Sequence, residues 1–241
     1  MKKLLLAIAF IFTACFTLSA QKIYIVAAGV SDYPGTVNDL GLPANDARSI
    51  YSLYRKYANA EGVILLNNKA TRNNIITKAN NVFQKAGQND IVIFFFSGHG
   101  NRGRFYAYDD ELLYDDLRKV FSACKANNKI IYADACYSGD MAQGGSHGRN
   151  EDFKNIMLFF SSRANETSFE NSSNMKNGFF TACLLKAIKG AADKNHDRKI
   201  TAKELFNSVS PGVASLSQNQ QHPVMWGNFD DNMPVFVWRK K

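Results

Sequence analysis

The sequence predicts an α/β fold of three layers, in which a mostly parallel sheet carries helices on both faces. Segments with the composition of buried strands alternate along the chain with segments of helical periodicity, and this alternation is typical of parallel sheets joined by right-handed crossovers. In addition, the interior of segment 90–97 is entirely apolar, as expected of a strand that is covered on both faces. Ligands of such sheets bind beyond the carboxyl ends of the strands.

The individual elements are assigned from periodicity and from the residues that begin each segment. Strands are predicted at residues 22–30, 62–67, 90–97, 129–135, 153–161 and 235–238, and helices at 45–58, 71–86, 114–126, 178–189 and 201–208. Asn45 and Thr71 have side chains that suit the cap position of their helices. We find no internal repeat in the sequence, so residues 21–241 are predicted to form one domain.

The segment 1–20 has the organisation of a secretory signal peptide. Lys2 and Lys3 precede an apolar stretch at 4–16, and the small residue Ala20 ends the segment. We expect cleavage after Ala20 and a secreted or periplasmic protein without a membrane span, because the apolar stretch is shorter than the ~20 residues that a span needs. Two alternatives stay open, namely an uncleaved anchor and a lipoprotein signal that presents Cys15.

The composition excludes some classes of partner. The formal net charge is +8, but two of these charges lie in the segment 1–20 and three basic residues lie at the end of the chain, at 239–241. Since no long basic run is interleaved with aromatic residues, the sequence does not predict nucleic-acid binding. Without Cys15, three cysteines remain, and an odd number in an exported protein favours a free thiol.

Two predicted strands end in a reactive side chain close to glycine. His99 follows the strand at 90–97, and Cys136 follows the strand at 129–135. In a parallel sheet the two side chains emerge at the same edge, and a thiol beside an imidazole is the minimal arrangement for nucleophilic acyl transfer. Taken singly, the histidine has the alternative of a hydrogen-bonded core residue and the cysteine that of a small buried one. The other two thiols, Cys124 and Cys183, lie in helical patterns and are predicted core residues.

The two strand ends resemble the catalytic motifs of a known family. Ser97-Gly98-His99-Gly100 and Asp134-Ala135-Cys136-Tyr137-Ser138-Gly139 are similar to those of the caspase-like cysteine peptidases, especially the metacaspase and bacterial caspase-family branch. Segments 29–33, 40–47, 159–162 and 190–205 also resemble parts of this family. The resemblance implies a three-layer caspase-like fold.

The resemblance also implies roles for individual residues. Cys136 is expected to be the nucleophile and His99 the acid–base partner that protonates the leaving amine. The backbone N–H groups of Gly100 and Cys136 are expected to form the oxyanion hole, where each donor supplies ~3 kcal/mol of transition-state stabilisation. The alternative is a catalytically silent caspase-like module that binds a partner.

The resemblance further implies protein or peptide substrates with a basic P1 residue. The positions that bind this residue in metacaspases match Asp46, Ser97 and Asp134, and carboxylates form charge-assisted hydrogen bonds with a guanidinium or ammonium group. The caspases that cleave after aspartate instead have Gln two positions before the cysteine, where this chain has Asp134. Helix capping by Asp46 and a structural hydrogen bond of Asp134 are the alternative roles.

No cofactor is predicted, with calcium as the alternative. Two sequence features favour calcium: the acidic residues within 109–116, and the series Asp193, Asn195 and Asp197 with Glu204 in the twelfth position of a loop of EF-hand type. The sixth position of that loop, normally glycine, is Arg198. Glu204 also completes a capping box with Thr201.

The segment 139–151 is rich in glycine and polar residues, and we predict a mobile surface loop. Its one basic residue is Arg149. The inferred P1 preference therefore leads us to expect self-cleavage after Arg149, with an unprocessed loop as the alternative.

Overall fold

The computed structural model describes residues 21–136, 156–163, 165 and 175–239. The predicted signal peptide, the loop at 139–151 and Arg149 lie outside the described residues. Within the described part of the chain, no helix is both long enough and apolar enough to cross a membrane.

The chain alternates between strands and helices as the sequence predicts. In order, the elements are β1 (Ile23–Gly29), α1 (Pro43–Tyr57), β2 (Ala60–Leu66), α2 (Arg72–Phe83), β3 (Ile91–Ser97), β4 (Gly100–Asn101), β5 (Arg104–Tyr106), β6 (Glu111–Leu113), α3 (Tyr114–Ser122), β7 (Asn128–Asp134), β8 (Ile156–Phe160), α4 (Phe179–Lys186), β9 (Lys199–Thr201), α5 (Ala202–Leu216), β10 (Val224–Trp226) and β11 (Pro234–Val237). A single 3₁₀ turn follows β2, and a π-type turn extends α4 to Ala191.

The central sheet has six strands in the order β10-β8-β7-β3-β1-β2. Five of these strands are parallel, and β10 pairs with β8 in the antiparallel direction at one edge. Both faces are covered, because alternate residues of β1, β3 and β7 belong to two separate hydrophobic cores. One core includes residues of α2 and α3, and the other includes residues of α1, α4 and α5. The predicted three-layer α/β architecture, with a mostly parallel sheet and helices on both faces, is therefore observed.

Two small antiparallel sheets lie outside the central one. β4, β5 and β6 form a three-stranded sheet directly after β3, and β9 pairs with β11. The strand predicted at 235–238 thus exists, but it is not part of the central sheet. Short strands of two or three residues carry too little periodicity to be found from sequence.

One predicted helix cap is wrong and another is confirmed. Helix α1 begins at Pro43 rather than at Asn45, because proline fits the first turn of a helix, where its missing N–H has no intrahelical partner. The Asn45 side chain instead donates a hydrogen bond to the backbone oxygen of Lys176 over 2.5 Å. Thr71 caps α2 as predicted, since its hydroxyl oxygen accepts from the Asn74 N–H.

Candidate active site

The register of β3 and β7 places His99 and Cys136 at the same edge of the sheet. Ser97 is paired with Asp134 at the carboxyl ends of these strands, and each reactive residue follows two positions later. The Gly98 N–H continues the pairing with a hydrogen bond to the Asp134 oxygen of 3.3 Å. His99 and Cys136 both line a narrow cavity of about 110 Å³.

The His99 backbone and ring are held by three contacts. The backbone N–H donates to the Tyr33 hydroxyl over 3.0 Å, and the backbone oxygen accepts from the Tyr106 N–H over 3.0 Å. The ring nitrogen Nε2 lies 2.8 Å from the backbone oxygen of Asn38. Because a carbonyl oxygen only accepts, Nε2 carries the proton and Nδ1 is the basic nitrogen.

Tyr33 is a positioning residue for His99. Its hydroxyl donates to the Tyr106 oxygen over 3.0 Å while accepting from the His99 backbone, and its ring centroid lies 4.9 Å from that of the imidazole. Burial raises the pKa of Tyr33 above its ordinary value, so the phenol stays neutral and keeps its donor. The sequence alone does not indicate a role for Tyr33 or Asn38, although the segment 29–33 resembles the family.

Gly100 packs directly against the backbone of Cys136. A Cβ atom placed on Gly100 would lie 2.6 Å from the Cys136 oxygen and 3.0 Å from the Ala135 Cβ. Only glycine permits this approach, which brings the two residues expected to supply the oxyanion donors together. The strand end before Cys136 is fixed by Ser161, whose hydroxyl oxygen accepts from the Ala135 N–H over 3.1 Å and donates to the Ala135 oxygen over 3.2 Å.

The structure brings Asp46, Ser97 and Asp134 together in the cavity that His99 and Cys136 also line. All three are buried, with 1%, 2% and 6% of their surface exposed. The Ser97 hydroxyl donates to Oδ2 of Asp46 over 2.9 Å. Two donors from a distant segment, Asn177 Nδ2 and the Gly178 N–H, bind Oδ1 of Asp46 over 2.8 Å and 3.1 Å.

The first turn of α4 holds the second carboxylate. Oδ2 of Asp134 accepts from the Thr181 N–H over 3.1 Å and from the Thr181 hydroxyl over 2.8 Å. Gly178 stands at the cap position of α4 and has no side chain to cap the helix. A Cβ atom there would lie 2.6 Å from Oδ2 of Asp134 and 3.4 Å from Oδ2 of Asp46. The two carboxylates therefore lie close to the same helix N-terminus, where the helix dipole favours negative charge.

The hydrogen bonds of Asp46 and Asp134 are relevant to the alternative roles of these residues, which are helix capping for Asp46 and a structural hydrogen bond for Asp134. Asp46 lies in the first turn of α1, yet its hydrogen bonds go to β3 and to the residues before α4. Asp134 does make the structural hydrogen bonds to Thr181, and it also lines the cavity. Burial raises the pKa of Asp46 well above its ordinary value, and the nearby charge of Asp134 raises it further.

The three cysteines in the described residues are free thiols. Cys124 is buried and donates to the Phe83 oxygen, and burial raises the pKa of its thiol. Cys183 is half-buried, and burial raises the pKa of its thiol to about 11. Cys136 is half-buried at the cavity.

The residues suggested for calcium make other contacts. The Glu204 carboxylate accepts from the Thr201 N–H and hydroxyl in a capping box, and Asp193 accepts from the N–H groups of Asp197 and Arg198. Among the described residues, no group of three or more His, Cys, Asp or Glu side chains is arranged to hold a metal ion.

Comparisons with known proteins agree with this fold. The structure is similar to a crystal structure of a protein from Geobacter sulfurreducens, with a TM-score of 0.66 and 17% identity over 91% of this chain and 97% of that chain. It is also similar to the crystal structure of caspase-1 from Spodoptera frugiperda, with a TM-score of 0.66 and 16% identity over 87% of each chain. No curated protein is a significant match to the sequence. At these identities the structural neighbours establish the fold alone.

The fold is thus that of the caspase-like α/β proteins. The family model described as "Caspase domain" matches residues 24–233. Since this match spans most of the chain, the protein belongs to the caspase-domain family of cysteine peptidases.

Proposed function

We propose that this protein is an exported endopeptidase that cleaves peptide bonds after Arg or Lys through Cys136 and His99. The observation that carries the proposal is that two buried carboxylates, Asp46 and Asp134, line the same cavity as this thiol and this imidazole. Such a pocket binds a guanidinium or ammonium group through charge-assisted hydrogen bonds. Leu40 and Pro43 line the same cavity and offer apolar contact to the methylene stem of the side chain.

The proposed reaction follows the chemistry of a thiol beside an imidazole. The thiol of Cys136 gives its proton to Nδ1 of His99, and the sulfur attacks the carbonyl carbon of the residue held in the pocket. The resulting oxyanion receives hydrogen bonds from the N–H groups of Gly100 and Cys136. The imidazolium then protonates the leaving amine, the peptide bond breaks, and a thioester remains. Water, deprotonated by His99, hydrolyses the thioester and restores the thiol.

The hydrogen bond from Nε2 to Asn38 suits this cycle. A backbone carbonyl accepts the Nε2 proton whether the ring is neutral or charged, so the ring keeps its orientation while Nδ1 gains and loses a proton. Tyr33 holds the backbone of the same residue. Both contacts support His99 as the acid–base group.

A peptide library tests the proposed specificity. We expect the mature protein to cleave after Arg and Lys and to leave peptides with Asp at the same position uncut, because two buried carboxylates repel a third. Cleavage sites are identified by mass spectrometry. A preparation that cleaves after Asp, or that binds a basic chloromethylketone without reacting at Cys136, would contradict the proposal. The latter result would favour the catalytically silent module.

The buried Asp46 also predicts a pH dependence. Its raised pKa means that it takes up a proton on acidification before an ordinary carboxyl group does, and a protonated Asp46 no longer attracts a cation. We therefore expect kcat/KM for Arg substrates to fall as the pH falls through this raised pKa. The stability changes in the opposite direction: without substrate, the contribution of Asp46 to stability is fully present below the ordinary carboxyl pKa and is lost as the pH rises through the raised pKa.

Alkylation separates this effect from titration of the thiol and the imidazole. The rate at which iodoacetamide modifies Cys136 reports on those two groups and not on the pocket. We expect the ratio of kcat/KM to the alkylation rate to retain an acid limb in the unmodified protein and to lose it in Asp46→Asn. If the acid limb of this ratio is unchanged in Asp46→Asn, protonation of Asp46 does not control substrate binding.

A further inference from the structure

A second and larger cleft begins at His99 and leads away from the carboxylate pocket. It has a volume of about 510 Å³ and is lined by His99, Gly100, Tyr33, Pro34, Asn38, the turn 106–108 and the acidic residues Asp109, Asp110 and Glu111. Asp46, Ser97, Asp134 and Cys136 line only the smaller cavity. The two cavities share His99, so a peptide that occupies the smaller one has its reacting bond at the entrance to the larger one.

The acidic residues of this cleft differ in how far their charge is neutralised. In the surrounding acidic segment, three carboxylates are paired with arginines: Asp116 with Arg72, Asp115 with Arg118, and Glu111 with Arg104. Among the residues that the structure describes, Asp109 and Asp110 have no cationic partner. Their Oδ1 atoms accept only backbone N–H groups, those of Arg72 and Glu111, each over 2.8 Å. The cleft therefore keeps two uncompensated negative charges.

The rest of the lining suits a flat or compact cation. Tyr33, Tyr106 and Tyr108 line the cleft beside the two carboxylates, and tyrosine rings attract guanidinium and ammonium groups through their faces. An acidic side chain of a substrate in this cleft would be repelled by the same two carboxylates. The lining thus distinguishes substrates by the sign of their charge.

The direction of the cleft follows from the proposed chemistry. His99 protonates the leaving amine, so the residues on the leaving-group side begin at the imidazole. Gly100, which is expected to donate to the oxyanion, lines the same entrance. The cleft therefore receives the residues that follow the scissile bond, while the carboxylate pocket receives the residue before it.

We propose that this cleft binds the leaving-group side of the substrate and selects a cationic side chain there. The preferred substrates then carry Arg or Lys on both sides of the scissile bond. This inference rests on the proposed function, because it takes the carboxylate pocket as the site of the residue before the bond.

Two kinds of substrate test the inference. An Arg-aminomethylcoumarin substrate has a neutral leaving group without an amino-acid side chain, so it reports on the carboxylate pocket without a charge on the leaving-group side. Internally quenched peptides share one acyl side ending in Arg and carry three Lys, three Ala or three Glu residues directly after the bond. Cleavage of the bond after this Arg is quantified by mass spectrometry of the products, because the Lys peptides also contain bonds that follow Lys. We expect kcat/KM to be about tenfold higher for the Lys peptides than for the Glu peptides, the scale of a few exposed charge and cation–π contacts. This ratio should decrease in 0.5 M salt, which screens exposed charges.

The double variant Asp109→Asn with Asp110→Asn removes both charges. Asparagine keeps an oxygen that accepts from the Arg72 and Glu111 N–H groups, so the turn retains its hydrogen bonds. The matched control is Asp230→Asn with Asp231→Asn, in which Asp230 also accepts a backbone N–H, that of Asn232, over 2.8 Å. Asp230 lines a cavity with Asn128, at the opposite end of β7 from the candidate site. Both double variants change the net charge equally.

We expect the Lys-to-Glu ratio to fall to about twofold in the Asp109/Asp110 variant and to stay unchanged in the control, with hydrolysis of the coumarin substrate unchanged in both. The inference would be refuted if the coumarin substrate is cleaved and kcat/KM for the peptides does not depend on the charge after the bond. That result would leave the proposed function unaffected.

A binding measurement keeps the test independent of turnover. Calorimetry of Cys136→Ala with the peptide Ala-Lys-Arg-Gly, which represents a leaving-group product, should show binding that the Asp109/Asp110 substitutions remove. Binding without any hydrolysis of the coumarin substrate would refute the proposed function and retain a cation-binding cleft. If neither peptide binding nor hydrolysis of the coumarin substrate is observed, the proposed function and the inference about the cleft are both refuted.

Discussion

Replacing Cys136 with alanine is expected to abolish cleavage of Arg peptides while the protein stays folded. The substitution removes the sulfur that forms the covalent intermediate, and loss of such a nucleophile lowers kcat by on the order of a thousandfold or more. The side chain is only half-buried at the end of β7, so its removal leaves no large cavity in either core. Steady-state turnover and thermal unfolding of the variant check both parts of this expectation.

Cys183 provides a matched control for Cys136. It is also a half-buried free thiol, but burial raises the pKa of its thiol to about 11, so it is almost entirely protonated at neutral pH. We expect Cys183→Ala to retain activity and to remain labelled by a basic chloromethylketone, whereas Cys136→Ala loses both. Normal turnover by Cys136→Ala would remove this residue from the mechanism.

The sequence identifies the sheet and the reactive edge because both depend on local patterns. The buried strands β1, β3 and β7 each contain a continuous apolar run, and their observed limits differ by at most one residue from the predicted ones. Once β3 and β7 are neighbours in a parallel sheet, His99 and Cys136 must emerge at the same edge. That step needs only strand direction and no knowledge of side-chain packing.

The contacts that complete the site are not local, and this explains why the sequence does not reveal them. Asp46 is bound by Asn177 and Gly178, which are 131 and 132 positions away. No periodic pattern in the sequence indicates that the N-terminus of α4 lies against the end of β7. The need for glycine at position 178 becomes clear only from the structure, in which a Cβ atom there would lie 2.6 Å from Oδ2 of Asp134.

Helix α5 illustrates how tertiary packing overrides a local stop signal. The helix predicted at 201–208 continues through Pro211 to Leu216, although proline inside a helix costs about 3 kcal/mol. Val209 and Val213 are fully buried against the second core. Burial of two valine side chains contributes about 3–5 kcal/mol, which offsets the cost of the proline.

The second large effect is expected at Asp134. Replacing it with asparagine removes one of the two pocket charges and keeps an oxygen that accepts from Thr181. Loss of one partner from a buried ion pair costs ~3 kcal/mol, which corresponds to a loss of more than about a hundredfold in kcat/KM for Arg substrates. Alanine at this position is expected to lower activity at least as much.

A citrulline substrate separates recognition of charge from a structural role. Citrulline has the shape of arginine without its charge, so the ratio of kcat/KM for Arg to that for citrulline measures the pocket's preference for a cation. We expect Asp134→Asn to reduce this ratio. The variant should also shift the acid limb assigned to Asp46 to lower pH, because the Asp134 charge contributes to raising the pKa of Asp46.

Asp116 supplies the control for this experiment. It is also buried, with 9% of its surface exposed, and it pairs with Arg72 at 2.8 Å outside both cavities. Asp116→Asn should lower the unfolding temperature without changing the Arg-to-citrulline ratio, since it breaks a partly buried ion pair that lies outside both cavities. If Asp134→Asn changes kcat/KM for Arg by less than threefold, or lowers Arg and citrulline turnover equally, Asp134 acts through α4 alone and does not bind the substrate cation.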